Sequence, residues 1–237
     1  MPAPLARRAL AEFCGTAFLV AVVVGSGIAA EELSPGDVGL QLLENAAATG
    51  AGLVALILAF GPVSGAHFNP VVSGADAFFG GLAFRELPVY VAAQVAGAVT
   101  GAIAANLMFE LDAVSWSDHA RSSSGLWIGE VIATMGLLVV IFGVVRSGRA
   151  SAAPFAVGAY ISGAYFFTSS TSFANPAVTI GRTFSDTFAG IQPSSVPTFI
   201  VSQTIGAGIA VLLIRTLYPD IAEVADDVIV PHTEEHG

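Results

Sequence analysis

Two Asn-Pro pairs, Asn69-Pro70 and Asn175-Pro176, constrain the fold of this chain more than any other feature, because each opens a short apolar segment. Proline fits the first turn of a helix, where its missing N–H has no partner to lose, and asparagine before it is a good N-cap. Each pair therefore predicts a helix start. Both pairs lie in apolar, glycine-rich surroundings, and irregular backbone at membrane depth is tolerated only where protein covers it or water lines it. Two such starts, one in each half of the chain, predict a pore or a solute site.

The composition indicates an integral membrane protein, since 54% of the 237 residues are hydrophobic and only 11% are charged. A soluble domain carries roughly 25% charged residues. At roughly 20 residues per span, the length allows about six transmembrane helices. The net charge of −10 excludes a general nucleic-acid binder. Four scattered histidines and one cysteine, Cys14, predict neither a metal site nor an intrachain disulfide, and we expect no cofactor.

Apolar runs separated by polar turns predict the order of the membrane elements. Glu12 within the first run argues against the alternative of a cleaved signal peptide, because signal cores avoid charge. After each Asn-Pro pair comes an apolar stretch, to about 81 and about 190, that is too short to span. The predicted spans are residues 9–30, 40–61, 85–109, 126–145, 152–169 and 193–217. Residues 219–237 form an acidic tail that we expect to be solvated in the cytoplasm.

The arginines predict the orientation of the chain, because cytoplasmic loops of membrane proteins carry an excess of basic residues. With the N-terminus inside, only Arg121 and Arg182 fall on the outer side. This places both termini in the cytoplasm, in an inner (plasma) membrane. The arginines on the cytoplasmic side are Arg7, Arg8, Arg85, Arg146, Arg149 and Arg215.

Three features recur in the same order in the two halves of the chain, at offsets of 106, 109 and 118 residues. They predict an internal repeat, with copies at about 8–109 and 126–218. Because each copy has three spans, the second copy must be inverted in the membrane, and the two half-helices meet at the pore centre. The matching pairs are Glu12-x-x-x-Thr16 with Glu130-x-x-x-Thr134, Asn69-Pro70 with Asn175-Pro176, and Gln94-x-x-Gly97-Ala98 with Gln203-x-x-Gly206-Ala207.

The duplicated Asn-Pro motif, the two intramembrane glutamates and the Gly-Ala-His-Phe-Asn-Pro context resemble the aquaporin (major intrinsic protein) family, over nearly the whole chain to about 218. The resemblance implies an all-α membrane protein with six transmembrane helices and two re-entrant half-helices in an inverted repeat. It also implies a homotetramer with one passive pore per subunit. In the family, the motif residues at the pore centre correspond here to Asn69, Pro70, Val71, Asn175, Pro176 and Ala177.

This chain departs from the usual family pattern at the narrowest point of the pore. Val178 follows the second motif where most aquaporins have an arginine, and Val71 replaces the alanine of the first motif. The family's spacing places the other filter positions near Thr49, Gly163 (or Ala164) and Ser172. Such a constriction is wide and weakly polar, and we expect it to pass solutes larger than water.

Four further polar residues are candidates for the pore. Arg182 lies one helical turn after Val178 and either faces an outer vestibule, extends to the membrane interface or pairs with Asp186. His67 is a vestibule candidate near the first motif. Intramembrane acids mark function by default, which leaves a proton-relay role open for Glu12 and Glu130. The resemblance instead implies that they support the motif loops.

The Asn-Pro-Val pair and the Asn-Pro-Ala-Val-Thr-Ile-x-Arg signature look like the bacterial aquaglyceroporin branch linked to arsenic-resistance operons. We therefore expect a passive channel for small neutral solutes, namely arsenite and related metalloid or methylated arsenic species, with glycerol and water as co-permeants. The alternatives are a generic glycerol/water facilitator, a proton-coupled transporter that uses Glu12 and Glu130, and a closed-pore structural member. An enzyme is not expected, because no nucleophile–base pair, metal cluster or Walker-type phosphate loop is present in the sequence.

Overall fold

The computed structural model describes residues 3–219, and within that range the regular structure is helical. The acidic tail predicted at 219–237 lies outside the described residues apart from Pro219. The eight α-helices are α1 (Leu5–Leu33), α2 (Val38–Ser64), α3 (Pro70–Phe79), α4 (Leu87–Met108), α5 (Ser124–Arg146), α6 (Ala153–Phe167), α7 (Pro176–Gly181) and α8 (Val196–Leu217). Short 3₁₀ turns at Ala150–Ala152, Arg182–Phe184 and Pro193–Ser195 precede α6, follow α7 and precede α8.

Five of these helices are long and apolar enough to cross a membrane: α1, α2, α4, α5 and the segment Pro193–Leu217 that contains α8. The predicted fifth span, at 152–169, is a helix of 15 residues that ends at Phe167. At 1.5 Å per residue it rises about 22 Å, less than the roughly 30 Å of a hydrocarbon core. Thr168 has an extended conformation (φ −104°, ψ 141°), so the chain leaves the helix before the second motif.

The long helices form two groups of three that correspond to the two predicted repeats. In the first group α1 packs against α2 and α4, and in the second α5 packs against α6 and α8. Contacts between α2 and α6 join the groups. The short helices α3 and α7 touch each other, and each also packs against α4 and α8. The architecture confirms the predicted fold.

Close helix packing depends on glycines at equivalent places in the two repeats. A Cβ atom at Gly97 would lie 2.3 Å from the carbonyl oxygen of Phe13 on α1, and one at Gly206 would lie 2.5 Å from that of Val131 on α5. Real Cβ atoms do not approach that closely, so only glycine allows these backbones to touch, as in many membrane helix pairs. Gly163 and Gly208, by contrast, face open space.

Candidate functional site

Both Asn-Pro pairs start helices as predicted. The Asn69 side chain accepts a hydrogen bond from the N–H of Val71 (3.1 Å) at the start of α3. Asn175 accepts from Ala177 (3.0 Å) and Val178 (3.2 Å) at the start of α7. Each asparagine thus uses its carbonyl oxygen as an N-cap, which leaves its amide group as a donor.

The same two asparagines also join the two motifs. The Nδ2 atom of Asn69 donates to the carbonyl oxygen of Ala174, and that of Asn175 donates to the carbonyl oxygen of Phe68, at 2.8 Å in both cases. One N–H of each amide is therefore occupied by the opposite loop. Because an amide group carries two N–H bonds, one donor on each asparagine remains for a solute.

Each loop that leads into a half-helix has left-handed residues that are not glycine. In the first loop these are Ala66 (φ 49°) and Phe68 (φ 50°), and in the second they are Thr171, Ser172 and Ala174 (φ 62°, 52° and 47°). A side chain in this region costs free energy, and such backbone persists only where its surroundings hold it in place.

The carboxylate of Glu12 makes the contacts that hold the first loop. It accepts hydrogen bonds from the N–H groups of His67 (2.9 Å) and Phe68 (2.7 Å). The hydroxyl of Ser64 (2.6 Å) and the amide of Gln94 (2.8 Å) also donate to it. Glu12 is fully buried, so these donors stand in for the water that a carboxylate loses on burial.

Glu130 does the same for the second loop. It accepts from the N–H groups of Phe173 and Ala174, both at 2.8 Å, and from the amide of Gln203 at 2.6 Å. Gln203 also donates to Thr179, as Gln94 does to Ser73 in the first repeat, both at 2.9 Å. The recurring Glu and Gln residues of the sequence repeat thus form one hydrogen-bonded support in each half.

A single cavity, with an empty volume of about 620 Å³ including open solvent at its mouths, contains most of the predicted pore residues. Its wall is mainly aliphatic, and its polar groups come from α2, α6, the two motif loops and the segment after α7. The predicted residues on its wall are Thr49, His67, Asn69, Ser172, Asn175, Val178 and Arg182.

The remaining predicted residues lie behind this wall. Gly163 is on the exposed side of α6, and a Cβ atom there would meet nothing within 4 Å. Ala164, the other possibility, is fully buried but is not part of the wall. Tyr165 instead presents its ring to the cavity, and its hydroxyl lies 3.1 Å from that of Thr49. The family's spacing predicted Gly163 or Ala164 for this position and therefore missed Tyr165.

In the first motif the wall residue also differs from the predicted one, here by one position. Val71 is half-buried and Val72, the next residue, lines the cavity. Pro70, Pro176 and Ala177 do not belong to the wall, and Ala177 is fully buried among neighbouring side chains. These three residues therefore start and pack the half-helices and do not face a solute.

Arg182 lies inside the cavity, where it is only 2% exposed. Its guanidinium carbon is 3.4 Å from the centroid of the Phe173 ring, and its Nε atom donates to the carbonyl oxygen of Ala189. Asp186, the alternative partner, accepts a hydrogen bond from the N–H of Asp118. Between residues 3 and 219 no ion pair joins Arg182 to Asp186.

His67 and Asp76 occupy the places in the first repeat that Phe173 and Arg182 occupy in the second. The Nδ1 atom of His67 is 3.0 Å from the hydroxyl of Ser73, and its Nε2 atom is 3.5 Å from the carboxylate of Asp76. The offset of 106 residues relates His67 to Phe173 and Asp76 to Arg182. In each repeat a ring therefore lies beside an ionisable group, with an arginine over the ring face in one and a carboxylate at a ring nitrogen in the other.

Comparisons with known proteins agree with this architecture. Residues 2–172 match the major intrinsic protein family. The aquaglyceroporin AqpS of Rhizobium meliloti (strain 1021) is 48% identical over 213 residues, which cover 90% of this chain and 91% of that protein. The aquaporin NIP1-1 of Zea mays is 30% identical over 215 residues, or 86% and 72% of the two chains.

The fold also matches a solved structure. The X-ray structure of the aquaglyceroporin from Plasmodium falciparum superimposes with a TM-score of 0.71 over 92% of this chain and 99% of that one, at 21% sequence identity. The sequence match, the paired half-helices and the shared cavity lead to one conclusion: this chain belongs to the major intrinsic protein family.

Proposed function

We propose that this channel passes small uncharged solutes that carry hydroxyl groups, with arsenite and methylated arsenic species as principal permeants and glycerol and water as co-permeants. The aquaglyceroporin relatives support a passive channel for small solutes. At neutral pH arsenite is mostly As(OH)₃, a small neutral molecule that resembles a polyol. The observation that carries the proposal is Val178 on the cavity wall, where most aquaporins have an arginine.

The proposed filter consists of Thr49, Tyr165, Ser172 and Val178, all on the cavity wall. Its hydroxyl groups supply donors and acceptors to a solute that has shed part of its hydration shell, and Val178 leaves space for a solute wider than water. The free amide N–H groups of Asn69 and Asn175 supply the next donors along the path. A neutral solute can exchange one set of hydrogen bonds for another at little net cost.

Arg182 adds a positive charge to this path. We propose that it takes the cation-excluding role that the family gives to the residue at Val178. Arginines and positive helix ends exclude cations, including protons, in other channels. Displacing the charge by one turn of α7 would keep the barrier while leaving the filter wide.

The hydrogen bonds of Glu12 and Glu130 favour motif support over a proton-coupled transporter. Both carboxylates are fully buried and accept bonds from the two motif loops. Neither belongs to the cavity wall. A proton relay needs access to the transport path, so we infer that the two acids fix the loops.

We further propose that the channel domain extends to about 218, sits in the inner membrane with both termini in the cytoplasm, and assembles as a homotetramer. The distribution of arginines supports the orientation, and the family supports the assembly. Mass measurement in native detergent micelles tests the tetramer, and protease access to the termini in oriented vesicles tests the topology.

Stopped-flow light scattering of proteoliposomes tests the substrate proposal. We expect flux of arsenite, glycerol and water above that of protein-free vesicles, independent of an imposed pH gradient. A generic glycerol/water facilitator would pass glycerol and water but not arsenite. Flux that rises or collapses with the pH gradient would support the proton-coupled transporter instead.

A further inference from the structure

The Arg182 end of the cavity contains a buried positive charge with unused hydrogen-bond donors. The guanidinium of Arg182 donates through Nε to the carbonyl oxygen of Ala189 and stacks on the ring of Phe173. Its two Nη groups have no hydrogen-bond acceptor among residues 3–219, although the side chain is only 2% exposed. These N–H groups can therefore find a hydrogen-bond acceptor only in the molecule or ion that occupies the cavity.

Neighbouring charges do not neutralise this end of the cavity. Arg121 places a second guanidinium carbon 5.0 Å from the centroid of the same Phe173 ring. Glu130 is the carboxylate that interacts with both arginines, and its oxygens already accept from two backbone N–H groups and from Gln203. Glu130 is thus an acidic neighbour shared by two arginines, and the cavity wall itself contains no Asp or Glu.

Hydroxyl groups surround the same space. The Oγ atom of Ser172, on the cavity wall, is buried and has no hydrogen-bond partner. The hydroxyls of Thr49 and Tyr165 face each other at 3.1 Å on the same wall. A planar guanidinium with free N–H groups beside the unpaired hydroxyl of Ser172 matches a small oxyanion, which accepts several hydrogen bonds in one plane.

We propose that the Arg182 end of the cavity binds one small monovalent oxyanion, held by the Nη groups of Arg182 and the hydroxyl of Ser172. A buried charge without a counterion is unfavourable, so an exchangeable anion stabilises this region. The anion occupies the space through which a neutral solute must pass, and it therefore competes with permeation. Arg121 lies beside the same Phe173 ring and adds a second positive charge near the proposed anion site.

Nitrate is a suitable probe, because it is planar and stays monovalent across the accessible pH range. The background salt is potassium gluconate, and the ionic strength is held constant. The first readout is the thermal unfolding temperature of the full-length protein in detergent. We expect nitrate to raise it in a saturable manner for the wild type, and Arg182→Gln to need about tenfold more nitrate for the same shift.

Matched variants separate binding from general salt effects. Arg149→Gln removes an exposed arginine outside the cavity, and it should respond to nitrate like the wild type. If Arg182→Gln does not fold, Arg182→Lys and Ser172→Ala replace it, and both should weaken the response to nitrate. A wild type that ignores nitrate, or variants that all respond alike, would overturn the proposal.

The second readout is inhibition of glycerol flux by nitrate in proteoliposomes, which rests on the proposed function. We expect saturable inhibition in the wild type and weaker inhibition in Arg182→Gln. A protein that responds to nitrate in thermal unfolding but passes no solute contradicts the proposed function and supports the anion site. A protein that passes glycerol without any response to nitrate in either assay contradicts the anion site alone.

Discussion

Asn69 and Asn175 each donate a side-chain amide to the backbone carbonyl just before the other asparagine, at 2.8 Å in both directions. The two half-helices are therefore joined end to end by a reciprocal pair of hydrogen bonds at the middle of the cavity. Each asparagine also caps its own half-helix. The same side chain therefore fixes the start of one half-helix and its contact with the other.

Alanine at either asparagine should destabilise the protein, and Asn175→Ala should do so more. Asn175 accepts two capping bonds and donates one across the motif pair, whereas Asn69 accepts one and donates one. Loss of a cap or a buried hydrogen bond costs about 1 kcal/mol each, with more for a stranded partner. Thermal unfolding in detergent measures the order, and equal losses for the two variants would contradict it.

Glu130→Gln should lower the thermal stability of the protein. Its glycerol flux should be the same with and without a pH gradient, as in the wild type. The new amide group brings two N–H donors next to the N–H groups of Phe173 and Ala174, where the carboxylate had only acceptors. We expect a cost of about 1–3 kcal/mol from the stranded donors. Thermal unfolding measures this loss, and glycerol flux with and without a pH gradient provides the second measurement.

The control for this variant is Glu32→Gln, which changes an exposed acid at the end of α1. It should leave both stability and flux unchanged. If Glu130→Gln folded normally and abolished a proton-driven flux, the support role would be wrong and the transporter alternative correct.

The sequence predicted the half-helix starts and their asparagine caps, because these depend on local chemistry, but it did not predict the hydrogen bonds between the two motifs. Asparagine before proline specifies a cap wherever it occurs, and recurrent Glu and Gln residues at matching offsets indicate equivalent positions. The predicted start of α7 at Pro176 and its Asn175 cap are both present in the structure.

The face of α6 could not be predicted in the same way. The positions of Gly163 and Tyr165 relative to the cavity depend on where α6 ends and how the loop of residues 168–174 turns. Three residues of that loop have left-handed backbone conformations, which change the path of the chain. No local pattern in the sequence predicts these conformations. The same holds for the stacking of Arg182 on Phe173, which is set by the fold of the segment after α7.

Tyr165→Leu should enlarge the filter, since Tyr165 lies on the cavity wall and its hydroxyl contacts Thr49. We expect faster flux of glycerol relative to water, because leucine is smaller and offers no hydrogen bond to small permeants. Gly163→Ala is the matched control on the same helix, where the new methyl group meets open space and should change neither flux. A change in Gly163→Ala with none in Tyr165→Leu would show that the filter lies where the family's spacing places it.

Gly97→Val should prevent α1 and α4 from packing, because even a Cβ atom would lie 2.3 Å from the carbonyl oxygen of Phe13. Overpacking typically costs about 1–3 kcal/mol, and more where the obstacle is backbone. The yield of folded protein in size-exclusion chromatography measures the effect. Gly208→Val, on the open side of α8, should fold like the wild type, and an equal loss in both variants would contradict the packing argument.

The most direct test of the account is the flux of water, glycerol and arsenite through the wild type and Val178→Arg in proteoliposomes. Val178 lies on the cavity wall one helical turn before Arg182, so an arginine there would narrow the filter and add charge. We predict that the wild type passes the larger solutes and that the variant loses them while keeping water. A wild type that passes only water, or a substitution that leaves every flux unchanged, would contradict the claim that Val178 defines a wide channel.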